Sequence, residues 1–398
     1  MMLRCALVAI ASIGLAWTVS AESVFGSNDY VEAIVPAAPA PILLTVPHGG
    51  SLLPASIPDR TAGCGSPCSY GTCQPGEVDD VNCPASTLKD LMTSEFALAL
   101  ADALESTFGT RPGIVLNHLH RSKLDPNRAK GEAAQGNTDA EAAYDEYFAF
   151  ADDAVASMIA HCGLGLVIDV HGHAHPEGMI ELGYLVSGNS LALGSSEINS
   201  LDSASTSFAS LLHDPHTTAG RTLADIVHGA NSLGTLISAS GYTTVPSSAT
   251  LHPGEASYFS GGFTTSKYGL QLDGVDAVQL ELPASIRADQ QSVDSAASDI
   301  AAALGAFFET NYAIDISSGA GCPNVTPAVC DLDGPSNAYF FKGYVWDTSC
   351  SVALHGSCAI DDASGAQMMY NSVRLYRRLA TKQANMQKQR ASCTSPAV

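Results

Sequence analysis

Positive charge is what this chain has least of. Eighteen Lys and Arg stand against 40 Asp and Glu, a formal net charge of −22, and charged residues of both signs make up only 15% of the 398 positions. Such an acidic surface repels phosphate backbones and anionic headgroups, so neither nucleic acid nor an anionic membrane is an expected partner. Long apolar runs are also scarce. The one from Cys5 to about Trp17 falls short of the roughly 20 residues a membrane-spanning helix needs, and no later segment is long enough either, so no stable membrane insertion is expected. Internal repeats and low-complexity tracts are absent, which excludes a repeat architecture. What remains, at 46% hydrophobic residues, is ample material for one large core with a small unit appended.

The N-terminus has the layout of a cleavable secretory signal over residues 1–21: a basic start at Arg4, the short apolar stretch, and small residues at Val19, Ser20 and Ala21. An extracellular chain beginning near Glu22 is therefore expected. Losing Cys5 from 11 cysteines leaves ten: Cys64, Cys68, Cys73, Cys83, Cys162, Cys322, Cys330, Cys350, Cys358 and Cys393. An even number suits disulfides in an oxidising compartment. The short spacings of "CGSPCSYGTC" also fit a metal–thiolate site, but the polar surroundings rich in Gly and Pro favour staples.

Strand and helix patterns alternate along residues 22–318. Apolar runs at Ile42–Val46, "GIVLNHLH", "GLGLVIDV" from Gly163, "MIELGYLVSG" and "GVDAVQLELP" read as strands. Three-to-four spacing predicts helices after Asp90, over 138–161, near 217–240 and over 291–310. This is the pattern of an α/β sheet covered on both faces. Residues 58–86 form a long cysteine-rich loop, and 253–269 read either as a loop over the crevice with Tyr258 or Tyr268 offering a hydroxyl to substrate or as an aromatic-rich surface loop. Residues 319–398 read as a small disulfide-stapled appendage containing a hairpin in "NAYFFKGYVWDTSC".

The polar residues gather at strand ends. His48 and His171 each follow an apolar strand, where ligand sites form in open α/β sheets. Strand alternation places Asp169, His171 and His173 on one face, which suits a metal-ligating imidazole oriented by a carboxylate. In "HLHRSKLDPNR", Arg121, Asn127 and Arg128 suit a substrate carboxylate, and Asp125 is expected to pair with an arginine. Glu281, near the end of its strand, is either a general acid or base or an edge residue facing water.

Five segments, "VPHGG" at 46–50, "DLMTSEFA" at 90–97, "RSKLDPNR" at 121–128, "IDVHGHAH" at 168–175 and "QLELP" at 279–283, together resemble the N-formylglutamate amidohydrolase family in order and span most of residues 40–310. That resemblance implies a three-layer α/β/α fold with a mixed central sheet, like zinc carboxypeptidases. It also implies zinc on His48 and His171, Arg121 stabilising an oxyanion, Asn127 and Arg128 holding a substrate carboxylate, and Glu281 activating water. Zinc carboxypeptidases place a glutamate three residues after the first histidine, where this chain has Ser51. Asp90 is the expected third ligand, with Glu77, Asp79 and Asp80 as rivals and a plain helix N-cap as the alternative role for Asp90.

The expected activity is thus zinc-dependent cleavage of an amide in a carboxylate-bearing small molecule or peptide. The competing readings are a metal-dependent esterase or phosphoesterase, and a secreted binding protein whose site has decayed.

Overall fold

A computed structural model describes residues 21–63, 80–213, 221–270, 274–312, 314 and 316, together with strands 338–341 and 344–347. The expected leader up to Ser20, the cysteine loop between 64 and 79 with Glu77 and Asp79, and most of the appendage lie outside these. Strand β1 (Ala21–Phe25) opens the described chain, followed by β2 (Val31–Pro36), β3 (Ile42–Val46), and the short pair β4 (Ala62–Gly63) and β5 (Asp80–Pro84). Helix α1 (Thr93–Phe108), β6 (Gly113–Asn117), α2 (Lys130–Ala134), α3 (Thr138–Cys162), β7 (Gly165–His173) and β8 (Ile180–Gly183) come next. Short helices α4 (Gly188–Leu191), α5 (Ser195–Ile198), α6 (Ala209–His213), α7 (Leu223–His228) and α8 (Leu233–Ser238) lead to β9 (Thr244–Val245). Helix α9 (Phe263–Gly269), β10 (Val275–Pro283) and α10 (Gln290–Phe307) follow.

Eight strands form one mixed sheet in the order β1-β2-β6-β3-β7-β10-β8-β9. Its centre, β6, β3, β7 and β10, is parallel, while β2 and β8 run antiparallel at either side. Residues along β3, β7 and β10 are buried almost throughout, as parallel strands covered on both faces must be. One face carries Leu44, Ile168 and Leu280 into a core shared with Phe96 and Leu100 of α1 and Ile300 and Leu304 of α10. The opposite face meets α9, which packs on β7 and β10, and α3, whose Phe148 ring lies edge-on to Phe263. Leu100 is fully buried, so Leu100→Ala should destabilise the fold by about 2–5 kcal/mol, read as a lower midpoint in thermal unfolding.

Two expectations of secondary structure change. Among the described residues of 217–240 the chain forms α7 and α8 rather than one helix. Thr222 and Asp225 close a capping box at the start of α7, and Ser232 caps α8 anew three residues after Gly229 ends α7. The expected loop at 253–269 is a loop only as far as Gly262; its remainder is α9.

The chain divides into two compact units, Met1–Met158 with Leu164–Pro323, and Ile159–Gly163 with Asn324–Val398. In the second unit β11 (Ala338–Phe341) pairs antiparallel with β12 (Tyr344–Asp347), where a hairpin was expected. Cys162 is buried and disulfide-bonded; the side chains of the other ten cysteines lie outside the described residues. Among the described residues no helix is long and apolar enough to cross a membrane.

Candidate metal centre

The parallel strands bring their carboxyl ends to one side of the sheet, and the polar residues collect there. His48 lies two residues beyond β3, and His171 and Glu281 sit opposite one another in the β7–β10 register. Asp90 arrives from the segment before α1, tied down by its own N–H, which donates to the His48 carbonyl at 3.0 Å. It is not the helix N-cap: that position is Met92, in the left-handed region at φ 63°, without a side-chain cap bond. This sharp turn leaves the Asp90 carboxylate aimed back at the sheet.

His48 Nδ1 and His171 Nδ1 each lie 3.2 Å from the same oxygen, Asp90 Oδ2, and the two rings stand edge to face at 4.7 Å. The far nitrogen of each ring is held by a different buried carboxylate: His48 Nε2 by Asp125 Oδ1 at 2.6 Å, His171 Nε2 by Asp169 Oδ2 at 2.8 Å. A carboxylate at Nε2 fixes the proton there and turns the Nδ1 lone pair inward, the arrangement a metal-ligating histidine needs. The donor set suits zinc. Two ligand atoms of a tetrahedral zinc lie roughly 3.3 Å apart, and the observed nitrogen-to-oxygen separations are 3.2 Å. All three ligand atoms lie within 4.8 Å of one another in buried surroundings.

Charge balance around the trio is tight. Burial would raise the Asp125 carboxyl, but the charges of Arg121, His48, Arg128 and Arg60 hold it well below the ordinary range. Asp90 is likewise lowered, against the opposing effect of burial, by the two histidines. His171 is raised well above the usual imidazole value: burial alone would lower it, yet the neighbouring Asp169, the hydrogen bonds to Asp169 and Asp90, and the Glu281 charge prevail. In the metal-free protein, a proton on His171 thus does part of what a cation would do, so protons and metal compete for the site.

Arg121 stands between two of these anions, donating from Nε to Asp125 Oδ2 at 3.1 Å with Nη1 3.6 Å from Asp90 Oδ1. Asn127 and Arg128 border the same site but have protein partners. Asn127 Oδ1 accepts the Thr264 N–H at 3.1 Å, and its Nδ2 lies 3.3 Å from His171 Nε2. Arg128 donates from Nε to Glu132 and from Nη1 to the Asn127 carbonyl. Asp125 does pair with arginine, as expected, with both Arg121 and Arg60.

Glu281 does not face water: it is 4% exposed, inside the sheet rather than at an edge. Gln279 Nε2 donates to its Oε1 at 2.8 Å, while Oε2 is buried with no hydrogen-bond partner among the described residues. Burial chiefly, with the Asp90 and Glu181 charges adding and His171 opposing, pushes this carboxyl up to about 8.

The tyrosine expectation is overturned. Tyr258 donates its hydroxyl to the Leu182 carbonyl, and Tyr268 is fully buried with its hydroxyl on Asp152. Gly262, not a tyrosine, brings the loop close: a Cβ there would meet the Asn127 side chain at 2.4 Å and Gln279 at 2.7 Å.

His173, His175 and Glu181 form a second cluster, but His173 has no lone pair left for a metal. Its Nδ1 accepts the His175 N–H at 3.1 Å and its Nε2 donates to the Met179 carbonyl at 2.8 Å. His175 pairs with Glu181 at 2.7 Å and stacks on Phe259.

Several participants carry no sequence signal. Arg60 and Glu132 sit outside the polar strand ends, and Asp125 is legible as an arginine partner but not as the support of His48. No family model matches the chain, and no curated protein matches it. Among solved structures it is similar to N-formylglutamate amidohydrolase from Ralstonia eutropha, at 13% identity and a TM-score of 0.40 over 71% of this chain and 99% of that one. It is also similar to a gene product of Agrobacterium tumefaciens, at 17% identity and a TM-score of 0.36 over 69% and 92%.

Proposed function

We propose that this protein is a secreted, zinc-dependent hydrolase that cleaves an amide bond in a substrate bearing a carboxylate, an N-acyl amino acid or a peptide. The observation that carries the reading is the convergence of two histidine Nδ1 atoms on one Asp90 oxygen, each ring backed by its own buried carboxylate. His48, Asp90 and His171 would hold the ion. Zinc, when bound, supplies Lewis acidity that polarises a carbonyl and makes water a better nucleophile near neutral pH.

The chain supplies the rest. Glu281, whose carboxyl is pushed up to about 8, is poised to take a proton from water and return it to the leaving amine, because a group titrating near the working pH exchanges protons in both directions. Its unpartnered Oε2 is the atom available for this. Arg121 brings positive charge beside Asp90 and is assigned to the developing oxyanion. Asn127 and Arg128 are assigned to the substrate carboxylate, and Arg128 would have to share its guanidinium between Glu132 and that ligand. The leader-like residues 1–21 and the number of cysteines support secretion.

The pairing of Arg128 with Glu132 favours a second reading, a metal-dependent esterase with no need of a free carboxylate. Elemental analysis of purified wild-type protein, followed by a panel of N-acyl amino acids and their neutral amide and ester counterparts, separates these. About one zinc per chain with turnover confined to carboxylate-bearing amides is expected. Equal turnover of neutral esters would favour the second reading, and a metal-free, inactive protein after zinc supplementation would sink both.

A further inference from the structure

Arg287 was not among the expected site residues, yet its guanidinium touches the backbone beside three of them. Nε donates to the carbonyl of Leu282 at 3.0 Å, Nη1 to that of Leu91 at 2.6 Å and Nη2 to that of His173 at 2.7 Å. Leu91 follows Asp90, Leu282 follows Glu281, and His173 is two residues beyond His171 in the same strand. Three separate chain segments, each carrying a group of the centre, are thus joined through one planar fork. The guanidinium rests on Gly172, where a Cβ would fall 2.4 Å from its Cζ. Gly172 in turn donates its N–H to Asp90 Oδ2 at 3.2 Å, the oxygen that both histidines approach.

From this geometry we propose that Arg287 is a positioning residue, a clamp that fixes the Asp90, His171 and Glu281 segments relative to one another and so sets the metal-donor geometry. The inference rests on reading His48, Asp90 and His171 as a metal centre. Arginine is required because only a rigid fork spreads three donors in one plane; lysine offers a point charge on a flexible stem. Glycine is required at 172 because any side chain would evict the guanidinium.

The test compares zinc affinity, and the visible spectrum of the cobalt-substituted protein, in wild type, Arg287→Met, Arg287→Lys and Gly172→Ala, with circular dichroism confirming the fold. Arg287→Met should weaken zinc binding roughly 10- to 100-fold and alter the cobalt spectrum. Gly172→Ala should do the same with the arginine still present, so the proposal stays testable if Arg287→Met does not fold. Arg287→Lys should recover only part of the affinity. Wild-type affinity and spectrum in both Arg287→Met and Gly172→Ala would overturn the clamp alone, and full recovery in Arg287→Lys would replace it with a charge effect. A wild-type protein that takes up no zinc would overturn the metal centre and the clamp together.

Discussion

Glu281→Gln should keep zinc at the wild-type level while turnover falls by roughly 10²- to 10⁴-fold, the range associated with removing a positioned acid–base group. The amide preserves the shape of the side chain and removes only its capacity to exchange a proton. The substitution also has a stability signature. Glu281 titrates at about 8 when folded against an ordinary value of 4.5, so between those values the folded chain holds a proton that the unfolded chain has released. Its contribution to stability is fully present below about pH 4.5 and is lost as pH rises through 8, on the order of a few kcal/mol in all. His171, also raised, acts in the same direction above its ordinary value. Chelator-treated wild type should therefore unfold at a lower temperature near pH 8.5 than near pH 5, and Glu281→Gln should flatten that slope over the interval in which Glu281 titrates. Parallel pH profiles for the two proteins would mean that the Glu281 carboxyl is not the buried, proton-holding group described. Loss of zinc from Glu281→Gln would place it among the ligands instead.

The elements that were legible are those whose residues face one way for a physical reason. Strands β3, β7 and β10 are continuous apolar runs because both faces are covered, and α1, α3 and α10 show helical spacing because one face of each is buried. The region after Arg221 misled because α7 and α8 are each six residues long and depend on caps rather than on a sustained apolar face. Within the site, Asp169 beside His171 followed from strand alternation alone. Asp90 did not: it reaches His48 across 42 positions from a turn that has no periodicity, and only the ordered resemblance of motifs singled it out. Tyr258 and Tyr268 went wrong because sequence places an aromatic ring on a loop without saying where its hydroxyl points. Arg60 and Arg287 stayed hidden because their partners are mostly backbone carbonyls on distant segments, and a carbonyl has no residue type.

His171→Ala and His48→Ala should both abolish zinc binding, yet they should differ in what they do to the fold. Removing the His171 ring strips Asp169, which is 1% exposed, of its imidazole partner and leaves the Thr45 hydroxyl at 2.7 Å as its remaining hydrogen-bond donor among the described residues. A buried carboxylate deprived of its partner costs about 3–5 kcal/mol. Removing the His48 ring leaves Asp125 with Arg121, Arg60 and the Asn127 N–H still in place, so its charge remains compensated. Thermal unfolding of the chelated proteins should therefore rank wild type above His48→Ala and His48→Ala well above His171→Ala, although elemental analysis finds both variants without zinc. His175→Ala supplies the control, because His175 belongs to the Glu181 cluster and should retain the metal. Full zinc occupancy in His171→Ala would remove that residue from the ligand set. Equal destabilisation of the two ligand variants would show that Asp125 depends on its imidazole as much as Asp169 does, and that the three donors around it do not offset the loss.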